Sequence, residues 1–140
     1  MQETNPIQCG LRPLKRYADF SGRAPRAEYW WFLLFEWLAL MAFLVLAVAA
    51  VGDSKESNPF FYAFIVPFAV TFVVLIIPNL AVQVRRLHDQ DRSGWLVLLF
   101  YIPYVGGLIA LIFMLLPGTE GPNRYGPDPY GGDQLEEVFA

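Results

Sequence analysis

Three long apolar runs constrain this chain more than any other feature of its sequence. They cover residues 29–52, 59–84 and 94–117, and Glu36 is the one charged side chain within them. As helices rising about 1.5 Å per residue, such runs reach roughly 36–39 Å, which exceeds a hydrocarbon core of about 30 Å. The runs therefore predict an all-α integral membrane protein with three transmembrane helices.

Basic residues are segregated along the chain, although the net charge is only −3. Eight of them lie before the first run or between the second and third: Arg12, Lys15, Arg16, Arg23, Arg26, Arg85, Arg86 and Arg92. Lys55 and Arg124 lie in the other two loops of a simple three-span topology. Because loops rich in Lys and Arg stay inside, this pattern predicts a multi-pass protein with a cytoplasmic N-terminus. Nothing in the sequence indicates nucleic-acid binding or a cofactor.

A cleaved signal peptide is the alternative interpretation of the first run, because Ala47-Val48-Ala49 resembles a cleavage site. Its apolar stretch of about 20 residues is longer than the 7–15 residues of a signal sequence. We therefore favour a retained helix.

The remaining chain divides simply around the runs. Residues 1–10 are expected to be flexible, 11–130 to form a single membrane domain, and 131–140 to form an acidic tail. Leu11–Phe20 places apolar and basic side chains on opposite sides of a helical wheel, which suggests a short amphipathic helix on the membrane surface. The alternative is a charged leader that only enforces topology.

Glu36 is the first candidate site, about 10 Å from the start of its run. A carboxylate in hydrocarbon is costly, so Glu36 is expected to face the other helices. Arg85 or Arg86 is a reachable ion-pair partner, with Asn79 and Gln83 as hydrogen-bond neighbours. A proton- or cation-linked transport site is one interpretation, and we favour a structural polar contact between the first two helices.

The second candidate is Arg85-Arg86-Leu87-His88-Asp89. If the helix continues, Arg85 and Asp89 are four residues apart and would pair. His88 is the only histidine and Cys9 the only cysteine, so no metal site is expected. His88 and Asp89 could form a general base, but no nucleophile accompanies them. The two arginines could bind a lipid phosphate through paired hydrogen bonds. An ordinary positively charged loop is the alternative.

The third run contains breaks that the other two lack. Pro103, Gly106 and Gly107 lie near its middle, as do Tyr101 and Tyr104. We favour a kinked but continuous span. The alternative is a broken or re-entrant hairpin bent at Pro103–Gly107, which would return the tail to the cytoplasm in two halves of only about 15 Å.

A loop rich in glycine and proline follows the third run. The glycines and prolines of residues 117–130 predict successive turns, because glycine permits positive φ and proline fixes φ. A defined Ω-like loop is therefore expected here.

Three separated motifs carry a resemblance to a known family. They are Phe20-Ser21-Gly22-Arg23-Ala24-Pro25-Arg26-Ala27-Glu28-Tyr29-Trp30, then Arg85-Arg86-Leu87-His88-Asp89 with Ser93-Gly94-Trp95, then Pro117-Gly118 with Gly121-Pro122-Asn123-Arg124-Tyr125-Gly126-Pro127-Asp128-Pro129. In these motifs the chain resembles the bacterial integral-membrane family catalogued as domain of unknown function 805. The resemblance implies a small inner-membrane protein of uncharacterised role. The chain departs from the family at Gln90-Asp91, where Thr followed by Gly or Asn is usual.

Three functional hypotheses follow. The preferred one is a non-catalytic protein that binds lipid head groups, a membrane-protein partner or a second copy through its basic cytoplasmic face. The others are an oligomeric transporter or channel using Glu36, and, least favoured, an enzyme using His88 and Asp89. If the third run is re-entrant, all three motifs meet on one face. The candidate binding residues are Arg23, Arg26, Glu36, Arg85, Arg86, His88, Asp89, Asn123, Arg124 and Asp128.

Overall fold

The computed structural model describes residues 5–51 and 59–130, and within these ranges it is helical with no β-strand. The helices are α1 (Pro6–Lys15), α2 (Arg26–Val51), α3 (Pro59–Asp89), a 3₁₀ helix (Gly94–Tyr101) and α4 (Gly106–Leu115). The all-α prediction is confirmed. The acidic tail, predicted at 131–140, lies outside the described residues.

α2 and α3 pack side by side, and within residues 5–51 and 59–130 they are the two helices long and apolar enough to cross a membrane. Phe32 of α2 and Leu75 and Val82 of α3 belong to the small buried core between them. Other apolar side chains point outwards, and Val45 and Val73 are each 63% exposed. An outward-facing apolar surface on both helices is what a lipid environment requires, since the core helices of soluble proteins bury such side chains.

α3 also extends beyond its predicted end at residue 84. The helix continues to Asp89, so the Arg85–Asp89 motif forms its last turn rather than a loop. At about 1.5 Å per residue its 31 residues reach roughly 46 Å, well beyond a bilayer core of about 30 Å. The charged motif thus lies at one end of the helix pair, beside the start of α2.

α1 begins at Pro6, five residues before the predicted Leu11. The Asn5 side chain accepts a hydrogen bond from the Ile7 N–H at 3.1 Å, and proline suits the first turn of a helix. The structure thus places residues 6–10, which the sequence assigned to a flexible segment 1–10, within a helix. Gly10 packs directly against Phe35 of α2, where a larger residue would not fit.

The outer side of α1 exposes both apolar and basic side chains. Its inner residues Cys9, Gly10 and Pro13 are buried, whereas Ile7, Leu11 and Leu14 are 59%, 41% and 42% exposed. These three recur at the spacing of one helical face, with basic residues exposed beside them.

A short turn connects α1 to α2 and is fixed by Asp19. Its carboxylate accepts hydrogen bonds from the Ser21 side chain and N–H and from the Arg16 guanidinium. These bonds, from Ser21 first and Arg16 second, hold the pKa of Asp19 well below its usual range. The turn thereby fixes the path of the chain towards Arg23.

Tyr17 reaches from this turn to a backbone group that proline leaves unpaired. Pro78 has no N–H, so the carbonyl of Val74, four residues earlier in α3, lacks its helical donor. The Tyr17 hydroxyl donates to this carbonyl at 2.6 Å. A side chain from outside the helix therefore compensates for the proline.

We expect Tyr17→Phe to destabilise the protein by about 1 kcal/mol, the usual net value of one hydrogen bond. The measurement is unfolding in mixed detergent micelles. In a Pro78→Ala background the restored N–H can donate to the Val74 carbonyl. Tyr17→Phe should then lower the free energy of unfolding by less than half as much as it does in the wild-type background. An equal cost in both backgrounds would contradict this account.

The third apolar run is a hairpin, and the favoured prediction of a continuous span is wrong. The 3₁₀ helix and α4 are joined by a turn at residues 102–105, and the Phe100 and Phe113 rings lie 5.9 Å apart across the two arms. Gly106 packs against the Phe100 backbone with no room for a Cβ atom. Pro103 cannot supply the N–H that a continuous helix needs, which favours the break.

Both ends of this hairpin lie near the end of α3. It starts at Gly94, five residues after α3 ends, and after it the Thr119 N–H donates to the Asp89 carbonyl at 2.8 Å. The arms reach only about 15–16 Å each, half of a bilayer core. The chain therefore returns to the end it left, as the alternative interpretation required.

Candidate functional site

Five charged side chains are buried together where the start of α2, the end of α3 and the loop after α4 meet. This buried charge cluster consists of Arg23, Glu28, Arg85, Arg86 and Asp89, none more than 7% exposed. Charged groups are rarely buried to this extent unless they are paired. The cluster joins residues from the first two sequence motifs, and the loop that carries the third motif packs against it.

Asp89 pairs with two arginines at once. Its Oδ1 accepts from Arg23 Nε at 2.9 Å, and its Oδ2 accepts from Arg86 Nη1, one helical turn earlier. Arg23 also donates to the Gly121 and Thr119 carbonyls at 2.6 and 2.5 Å. One carboxylate thus connects the start of α2, the end of α3 and the loop after α4.

Arg85 forms the second buried ion pair, with Glu28 at 3.0 Å. Two predicted pairings are therefore wrong. Arg85 does not pair with Asp89, because Arg86 and Arg23 occupy both carboxylate oxygens. Neither Arg85 nor Arg86 pairs with Glu36, because both are held within the cluster.

The loop after α4 donates hydrogen bonds to the carbonyls at the end of α3. The Asp89 carbonyl accepts from the Thr119 N–H and from its hydroxyl, and the His88 carbonyl accepts from Asn123 Nδ2 at 2.9 Å. Asp128 in turn accepts from the Gly121 N–H at 2.9 Å and holds the loop closed. The last carbonyls of a helix need such external donors.

Two arginines donate to the end of α4 in the same way. The Leu116 carbonyl accepts from Arg26 Nε at 3.2 Å and from Arg86 Nη2. Cations are stabilised at a helix C-terminus by its partial negative charge. This contact offsets the excess of positive charge in the cluster.

Asp91 explains how the chain tolerates its departure from the family pattern. Its φ of 54° is left-handed, a conformation that Gly and Asn adopt readily and Asp more easily than most residues. Arg124 forms an ion pair with its carboxylate at 3.0 Å and donates to its carbonyl at 2.5 Å. The added charge at this position therefore has a partner.

Gly118 lies directly against the Asp89 carboxylate, and a Cβ atom there would overlap it. Since two arginines hold that carboxylate in place, we expect Gly118→Ala to destabilise the protein by about 1–3 kcal/mol. Gly107→Ala is the matched control, because no atom lies within 4 Å of its added Cβ. Detergent unfolding should separate the two variants, and equal stabilities would refute the close contact.

His88 stacks on Tyr125 of the loop after α4. Their ring centroids are 3.8 Å apart at an angle of 4°, and His88 Nδ1 lies 3.3 Å from the Gly22 carbonyl. Because that carbonyl can only accept, Nδ1 carries the proton in this contact. The other ring nitrogen, Nε2, faces Gly94.

Glu36 forms a separate polar contact between α2 and α3. It accepts from Asn79 Nδ2 at 2.6 Å, and Asn79 accepts from Gln83 Nε2 at 2.6 Å. The predicted hydrogen bond of Glu36 to Asn79 is therefore present, whereas Gln83 bonds to Asn79 and not to Glu36. Glu36 lines neither the cavity of ≈ 370 Å³ nor that of ≈ 570 Å³, and its hydrogen bond to Asn79 connects α2 to α3.

Every predicted site residue except Glu36 lies at the end of the helix pair that carries the buried charge cluster. The role of these residues in binding stays a prediction. Sequence reasoning missed Glu28, Gly118, Thr119 and Tyr125 as members of this region, although all four lie within or between residues of the quoted motifs. Their positions depend on the return of the third run. Within residues 5–51 and 59–130, no three His, Cys, Asp or Glu side chains are placed to hold a metal ion.

Two long apolar helices, a hairpin and a buried charge cluster at one end define a small helical membrane protein. The chain belongs to the family described as protein of unknown function DUF805, whose model matches residues 17–127. The resemblance stated from the motifs is thereby confirmed. No catalytic role is indicated for this family.

Curated relatives agree with this class. The chain is 40% identical over 128 residues to the inner membrane protein YhaI of Escherichia coli, covering 90% of this chain and 98% of the relative. It is 41% identical over 119 residues to the inner membrane protein YhaH of the same organism, covering 85% and 93%. The uncharacterized protein YiiR of that organism is 26% identical over 135 residues, covering 79% and 85%. No solved structure matches the chain.

Proposed function

We propose that this protein is a non-catalytic inner-membrane protein that binds anionic lipid head groups through exposed basic residues at one end of its helix pair. The observation that carries the proposal is the division of its arginines. Arg23, Arg85 and Arg86 are buried and hold that end together, while other basic residues around them stay exposed: Arg12, Lys15, Arg26, Arg92 and Arg124.

A topology with two spans and a re-entrant hairpin separates basic residues between the two sides of the membrane more completely than a three-span topology does. If α2 and α3 cross the bilayer and the hairpin returns, nine of the ten Lys and Arg residues lie on one side and Lys55 lies alone on the other. The positive-inside rule then favours a cytoplasmic N-terminus and a cytoplasmic loop after α4.

The exposed face of α1 supports lipid contact at that surface. Ile7, Leu11 and Leu14 form an outward apolar stripe, with Arg12 and Lys15 exposed next to it. This combination suits the boundary between acyl chains and head groups. Each basic residue near an anionic surface contributes about 1 kcal/mol of attraction, which salt screens.

The test measures which lipids the protein retains from an equimolar mixture of phosphatidylglycerol and phosphatidylcholine after purification in mild detergent. We expect enrichment of phosphatidylglycerol that falls towards the input ratio when Arg12, Lys15, Arg26 and Arg92 are changed to Gln, and also at high salt. Lys55→Gln is the control and should retain the enrichment. The same lipid ratio in all three proteins would overturn the proposal.

Sidedness is tested by labelling single cysteines with a membrane-impermeant reagent in a Cys9→Ala background. Lys15→Cys and Glu120→Cys are both exposed positions, and both should react only when the cytoplasmic side is accessible. Labelling of Glu120→Cys from the outside would show that the third run crosses the membrane.

A further inference from the structure

Several residues of the three motifs take no part in the ion pairs of the buried charge cluster. Phe20, His88, Ser93, Gly94, Trp95 and Tyr125 make none of its ion pairs. All six instead line a single groove of ≈ 570 Å³. A volume of this size is typical of ligand sites, which range from about 300 to 1,000 Å³.

The groove lies between one face of α3 and the 3₁₀ helix. Leu80, Val84 and His88 follow one another at four-residue intervals along α3, so they form a single stripe on the helix. Val97 and Leu98 of the 3₁₀ helix form the opposite wall. Gly94 allows the two walls to approach, since a Cβ there would lie 2.7 Å from Val84 Cγ1 and 3.0 Å from His88 Nε2.

The polarity of the lining changes along the axis of α3. The end towards the middle of the helix is apolar, with Leu80 and Val84, and the end at the charge cluster carries His88, Ser93 and Tyr125. In a spanning helix this order runs from the hydrocarbon to the head groups. It matches the orientation of a lipid, with its chain inward and its polar group at the surface.

Ser93 and His88 line the outer end of the groove, and Arg124, paired with Asp91 at the surface, lies beside it over Tyr125. Ser93 precedes the 3₁₀ helix but makes no side-chain capping bond. When the His88 ring is neutral and its Nδ1 donates to the Gly22 carbonyl, its other nitrogen, Nε2, can accept a hydrogen bond. The Arg124 guanidinium lies over the Tyr125 ring at 5.1 Å from its centroid, and its side chain is 60% exposed. Arg124 supplies positive charge for a phosphate, and Nε2 accepts from a head-group hydroxyl or ammonium.

We propose that this groove binds one phospholipid molecule, with an acyl chain along Leu80, Val84 and Leu98 and the phosphodiester head group at the Ser93, His88 and Arg124 end. The inference rests on the membrane placement of the proposed function. It differs from the lipid contacts proposed above in being a single, shaped site rather than an electrostatic preference of the whole surface.

The test is native mass spectrometry of the full chain, purified in mild detergent and washed to remove loosely bound lipid. We expect about one phospholipid to remain on each wild-type chain. Val84→Phe fills the groove and should lower this occupancy about tenfold, equivalent to about 1.4 kcal/mol. Val73→Phe makes the same change at an outward position of the same helix and should leave the occupancy unchanged.

Ser93→Ala keeps the test valid if Val84→Phe fails to fold, because Ser93 is exposed and its side chain makes no capping bond. The loss of one hydrogen bond to the head group should lower the occupancy about fivefold. Wild-type protein without bound lipid, or equal loss from Val84→Phe and Val73→Phe, would overturn the inference. A second chain that Val84→Phe displaces instead of a lipid would overturn it in favour of a protein occupant.

These outcomes are separable from the test of surface charge. A single lipid retained without preference for phosphatidylglycerol would support the groove and contradict the proposed surface binding. A charge-dependent lipid ratio without a retained molecule would do the reverse.

Discussion

Asp89→Asn is expected to destabilise the protein by about 3–5 kcal/mol, the usual cost of removing one partner of a buried ion pair. The substitution keeps the size of the side chain and removes its charge. Arg23 and Arg86 would then remain buried without an anion, because both pair with this one carboxylate. The buried cation, more than the lost bond itself, determines the size of the effect.

Asp91→Asn is the matched control for this prediction. It removes the same charge two residues away, where the ion pair to Arg124 is exposed and contributes only about 0–1 kcal/mol. Asn also tolerates the left-handed backbone at this position. Unfolding in mixed micelles measures both variants, and similar losses of stability would show that Asp89 does not hold the three segments together.

The second large effect concerns Arg85 and Glu28. We expect Arg85→Met alone and Glu28→Met alone to cost about 3–5 kcal/mol each, because either change leaves an unpaired buried charge. The double variant should be more stable than either single variant. Replacement of both ions by apolar side chains removes the cost of burying charge along with the attraction between the ions.

The measurement is a double-mutant cycle on detergent unfolding. The coupling energy between the two positions should be large and favourable, since the atoms are 3.0 Å apart and the side chains are at most 3% exposed. A double variant whose loss equals the sum of the two single losses would show that the ions do not interact.

The buried pairs also explain why three motifs far apart in sequence occur in one chain. Arg23 belongs to the first motif, Asp89 to the second, and the Gly121 carbonyl that Arg23 contacts to the third. Their charges stabilise the contact between the segments. Arg23, Arg26 and Asp89 also line a cavity of ≈ 370 Å³ beside the loop after α4, so this cavity, the exposed basic residues and the groove between α3 and the 3₁₀ helix are all placed to meet other molecules.

Local pattern was sufficient for several predictions. The length of the apolar runs predicted the two long helices, and the one carboxylate within them predicted a polar neighbour for Glu36, which is Asn79. The glycines and prolines of residues 117–130 predicted turns in that segment, and the structure has turns and bends there. These features depend on residues close in sequence or on the cost of a polar group in an apolar setting.

The sequence by itself determined that this chain is a helical membrane protein of the DUF805 family and which of its residues carry charge at the helix ends. Only the tertiary structure decided that the third run folds back, that Arg85 pairs with Glu28, and that Arg23 and Arg86 share Asp89. Hydropathy is the same for a spanning helix and for a hairpin of equal composition. The choice depends on long-range contacts, because the loop after α4 supplies the donors that the end of α3 lacks, and no local pattern records which distant segment meets that need.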